Sequence, residues 1–174
     1  MSEILAAILG ALLAGGLQTV LAVFDRRRLA ESVLTALASE VDSICRLVRH
    51  QGYLEAVTIV AGDIQKGMWN GTTYIIDIRS NYFSVYEGLV SQLGQIQPRQ
   101  ASKIVNFYAY CKSAIDSTRP DGPHAGEPNS VEAGQNMVSV AALLHAALTL
   151  GDEIVQFPRQ SIHDLVLVDS GANA

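Results

Sequence analysis

Ile4 to Phe24 is a run of 21 residues without one charged side chain, and Arg26-Arg27-Arg28 follows it almost at once. As a helix rising ~1.5 Å per residue, such a run covers ~31 Å, close to the ~30 Å hydrocarbon core of a bilayer. Eleven of its residues are Leu, Ile, Val or Phe, and together they favour insertion by about 3 to 7 kcal/mol before polar costs. Gln18 and Thr19 are its only polar side chains. The pattern predicts a transmembrane anchor over residues 1–25. A cleaved secretory signal would need basic residues before a shorter apolar stretch, whereas here Ser2-Glu3 precede the run and the arginines come after it. Arginines that flank a span stay on its cytoplasmic side. The expected topology is therefore a single span with the N-terminus outside and the C-terminal domain cytoplasmic. The competing reading is a core helix buried in a soluble oligomer.

Within the run, Ala6, Gly10, Ala14, Gln18 and Ala22 recur every four residues, with Ala7, Ala11 and Gly15 beside them. Small residues at this spacing let two helix backbones approach closely in lipid, and a Gln can hydrogen-bond across the contact for ~0.6–2 kcal/mol. The row points to self-association of the span and a homo-oligomer; chance is the alternative, since Ala and Gly are common in spans. Arg26, Arg27 and Arg28 are placed to contact anionic lipid headgroups, at roughly 1 kcal/mol per charge.

Residues beyond the span suffice for one domain with its own core. Charge is unevenly spread. Residues 1–50 carry five Arg and five acidic side chains, while residues 51–174 carry seven basic and twelve acidic ones and hold the whole net charge of −5. An acidic body does not suit nucleic-acid binding, which needs a basic stripe. Cys45 and Cys111 are the only cysteines, and neither they nor His50, His124, His145 and His163 show metal-ligand spacing. No metal or other cofactor is expected, and the two thiols read as reduced and structural.

The fold class expected is all-α, with a single N-terminal transmembrane helix continuing into an antiparallel helical bundle. Residues 26–50 read as a juxtamembrane amphipathic helix. Ala30, Leu34, Leu37, Val41, Ile44 and Val48 step by alternating fours and threes, which fits either a short parallel coiled coil or one buried stripe of a bundle helix. Residues 51–158 read as a helical cytoplasmic domain and 159–174 as a C-terminal tail. Gly52 breaks the first helix, and Tyr53 to Lys66 forms the next. A turn follows over Gly67 to Thr72, and Thr73 to Ile78 is ambiguous between strand and loop. Asn81 is expected to cap a helix with Tyr82, Tyr86, Leu89 and Leu93 on one face, ended by Gly94. Pro98 suits the first turn of another helix. There Ile104, Phe107, Tyr108, Cys111 and Ile115 form an apolar stripe, and the two helices should meet in an aromatic-rich hairpin. Thr118 to Ser130 is a Pro- and Gly-rich loop. Ser130 or Asn129 caps a last helix to about Gln156, whose stretch Met137 to Leu150 looks too short to span and more like a central core helix. Leu165-Val166-Leu167-Val168 in the tail could pack back.

Asn81-Tyr82-Phe83-Ser84-Val85-Tyr86-Glu87, then Leu93-Gly94, then the stretch from Lys103 to Lys112 resembles a group of uncharacterised small bacterial membrane proteins. These combine one N-terminal span with a helical cytoplasmic body. The resemblance implies a bacterial inner-membrane protein; the group has no assigned activity, so no functional residue is carried over.

No motif for nucleophilic, metal-assisted or phosphate chemistry occurs. Asp152 and Glu153 are neighbours on a helix, point about 100° apart and read as a solvated face. His145 reads as a core histidine. The expectation is a non-enzyme: a membrane-anchored protein-interaction module that self-associates and binds a cytoplasmic protein partner. The alternative is a membrane-acting, toxin-like effector, for example in phage defence, working through oligomerised spans.

Overall fold

A computed structural model describes residues 2–68, 75–76, 80–119 and 130–158; for residues 2–14 and 80 only the backbone is described. The described residues are all helical apart from short connections, and no strand occurs among them. Five α-helices follow in order: α1 (Ser2–His50), α2 (Tyr53–Gln65), α3 (Ser84–Leu89), α4 (Pro98–Thr118) and α5 (Val131–Ile154). Two 3-10 turns, Ser80–Phe83 and Val90–Gln95, flank α3.

The first helix runs 49 residues without a break, ~74 Å at the usual rise. Its two halves live in different surroundings. From Val33 onward Leu34, Leu37, Val41, Ile44 and Val48 are buried, so the heptad-like stripe packs inside the chain's own core. From residue 15 to residue 29 every side chain is exposed. Gly52 then turns the chain in the left-handed region, at φ +63°, where a residue without Cβ carries no steric penalty. Its partner at the far end of α2 is Gly67, at φ +67°. There the Gly67 N–H donates to the Ile64 carbonyl and the Met68 N–H to the Asp63 carbonyl, the paired bonds of a Schellman ending.

Pro98 opens α4 at its first turn, as its spacing predicts. Ile104, Phe107, Tyr108, Cys111 and Ile115 are all buried. At the start of α5, the Ser130 hydroxyl accepts a hydrogen bond from the Ala133 N–H at 3.0 Å, an N-cap that occupies one of the helix's free donors. The helices α4 and α5 lie side by side in opposite directions: Lys103 pairs with Glu153 towards one end, and Asn136 donates to the Ser117 carbonyl at 2.9 Å towards the other. Closeness to α1 is set by Gly151. A Cβ there would lie 2.3 Å from Cys45 Sγ and 3.3 Å from Phe107 Cε2, so only glycine lets α1, α4 and α5 meet at this level.

Three expectations need correction. Asn81 caps no α-helix: residues 80–83 form a 3-10 turn, and α3 starts at Ser84 without a capping side chain of its own. Phe83, not Tyr82, is the aromatic that is buried, because the 3-10 turn rotates the residues relative to an α-helical register. The last helix runs from its Ser130 cap to Ile154, close to the extent expected, but its apolar character is not confined to the Met137–Leu150 stretch read as too short to span. With 24 residues and a mean hydropathy of 1.4 over its best 18-residue window, α5 is the one helix among the described residues that is long and apolar enough to cross a membrane. One third of that window is buried inside the fold. Residues 75–76 adopt no strand, and the rest of 73–78 lies outside the described residues, as do residues 120–129 and the tail 159–174.

Candidate membrane-contact segment and internal polar centre

The exposed part of α1 is apolar. Leu17 is 62% exposed and Phe24 63%, and Val20, Leu21, Val23 and Leu29 are also open. Successive residues point ~100° apart, so these side chains surround the helix and leave no face turned to the core. Polar groups on it look after themselves: the Thr19 hydroxyl donates to the Gly15 carbonyl at 2.9 Å, satisfying the hydroxyl within its own helix. Gln18 and Ala22, both in the small-residue row, lie on this free segment and are exposed. Ala6, Gly10 and Ala14 belong to the helical backbone of α1, but their side chains lie outside the described residues. Arg26, Arg27 and Arg28 are exposed and, standing on consecutive positions, spread over about 200° of the helix circumference.

Below this segment α1 holds a polar centre that the sequence reading overlooked. Glu40 is a buried charged side chain. Its Oε1 accepts from the Val85 N–H at 2.7 Å, and its Oε2 accepts from the Tyr86 N–H at 3.0 Å and from the Tyr108 hydroxyl at 2.6 Å. The carboxylate thus does for α3 what a cap normally does, from another helix. Burial and the Glu40 carboxylate both disfavour the Tyr108 phenolate and push its pKa far up. Tyr86 stacks on Tyr108 with ring centroids 3.9 Å apart, and Phe83 meets Tyr108 edge-on at 5.8 Å. Lys112 lies over the Phe83 ring at 5.6 Å and pairs with Glu87 at 3.1 Å. A signal did exist: Glu40 falls three residues after Leu37 and four before Ile44, on the edge of the apolar stripe, where a surface acid is out of place.

The remaining candidates are structural. Cys45 and Cys111 are free and buried; burial raises their pKa to about 11 and about 12 respectively. Thiols so protonated are poor nucleophiles. His145 is exposed on α5, which corrects its placement in the core. Asp152 receives two 2.8 Å hydrogen bonds from Arg49, and Glu153 pairs with Lys103. Each acid is thus tied to a different neighbouring helix and the two do not converge. Among the described residues no group of three or more His, Cys, Asp and Glu side chains could hold a metal ion. Open depressions occur among the described residues. One, of about 700 Å³, is lined by polar and paired groups including Arg99, Lys103, Asp152 and Glu153. Another, of about 530 Å³, lies between the α1–α2 corner and α5 and is lined by Val48, Leu54, Ile59 and Leu148, with Arg49 and Glu55 at its rim.

Compared with known proteins, the chain matches no family model, no curated protein and no solved structure.

Proposed function

We propose that the chain is a membrane-anchored protein-interaction module. In this reading residues 4–24 cross the bacterial inner membrane with the N-terminus outside. Arg26, Arg27 and Arg28 sit among anionic headgroups, and the helical bundle is a cytoplasmic docking domain. The observation that carries it is the free segment of α1: residues 15–29 are exposed around the whole helix although six of them are large and apolar. Six open hydrophobics on one projecting helix form a patch that soluble monomers avoid, and a bilayer covers all sides of such a helix at once. The apolar α5 does not need lipid, because its stripe of Gly134, Met137, Val140, Leu144, Ala147, Gly151 and Ile154 is already buried against the fold.

Self-association belongs to the same proposal and falls to the span. The stripe that a parallel coiled coil would use, from Leu34 to Val48, is buried within the chain, so the row Ala6, Gly10, Ala14, Gln18 and Ala22 is the seam left for a second copy. Interaction is preferred to catalysis because no buried side-chain polar atom among the described residues lacks a partner; the acids inside the fold are engaged in holding it. The acidic body argues against a nucleic-acid partner.

Alkaline carbonate extraction of bacterial membranes, combined with tags at each terminus probed in inverted vesicles, tests the anchor. Retention in the washed membrane, with only the C-terminal tag accessible to protease in inverted vesicles, is expected. Release into the carbonate supernatant would reject the span and make the free segment of α1 an interface of a peripheral oligomer.

A further inference from the structure

We infer that the bundle rests on the leaflet its span emerges from, through the end where α4 starts and α5 closes, with Arg99 touching anionic phospholipid headgroups; this rests on residues 4–24 being the span. The direction of each helix follows from its contacts with α1. On α1, Val48, Cys45 and Val41 step towards the span. Val48 shares a groove with Leu148 of α5. A Cβ on Gly151, further along α5, would lie 2.3 Å from Cys45 Sγ and 3.5 Å from Val41 Cγ1, so α5 closes towards the span. The start of α4 points the same way, because Lys103 pairs with Glu153 while the Ser117 carbonyl meets Asn136. The opposite end, where Ile64 of α2 lies against Gly134 of α5, points away from the lipid.

The hydrogen bond from Tyr108 to Glu40 sets the scale. Glu40 lies 12 residues after Arg28 on the unbroken α1, or ~18 Å along the helix. Arg99 lies nine residues before Tyr108 on α4, which carries it up to ~13 Å back towards the span. Arg99 then stands on the order of 5 Å below the arginine collar, within the ~8 Å over which charges act at physiological salt. The charges at this end suit an anionic surface. Asp152 is bonded to Arg49 and Glu153 to Lys103, whereas Arg99 is exposed and makes no hydrogen bond or ion pair among the described residues. The depression of about 700 Å³ beside it is also lined by Gln97, Gln100 and Gln156, whose amides can donate to phosphate oxygens. A guanidinium binds phosphate through two N–H groups at once. At the far end exposed Lys66 is offset by exposed Glu132, and Arg119 pairs with Asp116 at 3.4 Å.

Energy transfer from the full chain to headgroup-labelled lipid tests it. A donor dye is placed on Gln95→Cys at the near end or on Glu132→Cys at the far end, both positions being exposed and the native Cys45 and Cys111 buried. The protein is reconstituted in vesicles of phosphatidylcholine alone or with one quarter phosphatidylglycerol, and floated vesicles are measured. Transfer should be severalfold stronger from position 95 than from position 132 when phosphatidylglycerol is present. Arg99→Glu should bring the ratio back to its value in phosphatidylcholine, and Lys66→Glu should leave it unchanged. Equal transfer from the two positions in floated vesicles would overturn the assignment, as would a ratio indifferent to phosphatidylglycerol or to Arg99→Glu. A chain that does not float with the vesicles would instead reject the span itself, and the lipid contact with it.

Discussion

Replacing Glu40 should loosen the fold from the inside out, starting at α3. Three donors converge on its carboxylate: the Val85 N–H at 2.7 Å, the Tyr86 N–H at 3.0 Å and the Tyr108 hydroxyl at 2.6 Å. In Glu40→Gln one oxygen becomes an NH₂ group, which must face at least one backbone N–H whichever way the amide turns. One orphaned donor costs about 1–3 kcal/mol. Tyr108→Phe removes a single bond to a charged acceptor and leaves both N–H groups satisfied, a loss of about 1.5–3 kcal/mol. Glu40→Ala strands all three donors and opens a cavity. Water reaches the half-buried Val85 and Tyr86 and offsets part of this, leaving about 3–5 kcal/mol from orphaned donors. Urea unfolding of the full chain in mild detergent, followed by far-UV circular dichroism, gives the stabilities. Amide hydrogen exchange at Val85 and Tyr86 gives the local effect. Glu40→Ala should be the least stable of the three variants, with both amides exchanging much faster than in the parent. A Glu40→Ala protein within about 0.5 kcal/mol of the parent, a change typical of inert surface sites, would refute the view that this carboxylate holds α3 to α1 and α4.

Gly151→Ala should destabilise the fold by about 1–3 kcal/mol through overpacking, since its Cβ would fall 2.3 Å from Cys45 Sγ. Adding Cys45→Ala should recover most of that loss in a double-mutant cycle, and additive effects would contradict the close approach. Thiol titration gives a pH prediction. An unfolded Cys releases its proton near 9.0, whereas the folded chain holds those of Cys45 and Cys111 up to about 11 and about 12. The folded state therefore binds more protons in that interval, so stability is full below pH ~9 and falls as pH rises towards 11–12; the raised Tyr108 pKa acts in the same direction. Stability that stays level over this range would show the thiols to be solvent-accessible, as would fast reaction with a thiol reagent at pH 8 before unfolding. Replacing Arg26, Arg27 and Arg28 together by Glu should place a larger share of N-terminal tags on the cytoplasmic side, and an unchanged topology would remove the arginines from its control.

Much of the local structure is legible along the chain. Pro98 at the first turn of α4, Ser130 as the cap of α5 and Gly52 at the α1–α2 corner act through ring, hydroxyl and backbone chemistry within a few residues of themselves, which needs no distant partner. The stripe from Ile104 to Ile115 is equally readable, because a 3.6-residue period marks the face to be buried. Segment 80–95 was misread because its conformation is fixed from outside. Short 3-10 and α turns carry little stability of their own, and the cap for α3 comes from Glu40, 45 residues before Val85.

The sequence by itself determined that the chain is helical, where its apolar run lies and that arginines close it, since periodicity, propensity and the distribution of charge are properties of neighbours along the chain. Only the tertiary structure decided that the stripe from Leu34 to Val48 is spent inside the fold while residues 15–29 stand free of it. It also decided that Glu40 is a buried tie rather than a surface acid, and that Gly151 is needed for three helices to meet. A side chain's surroundings depend on which remote segments fold against it, and the energies of burial, capping and close packing are set there.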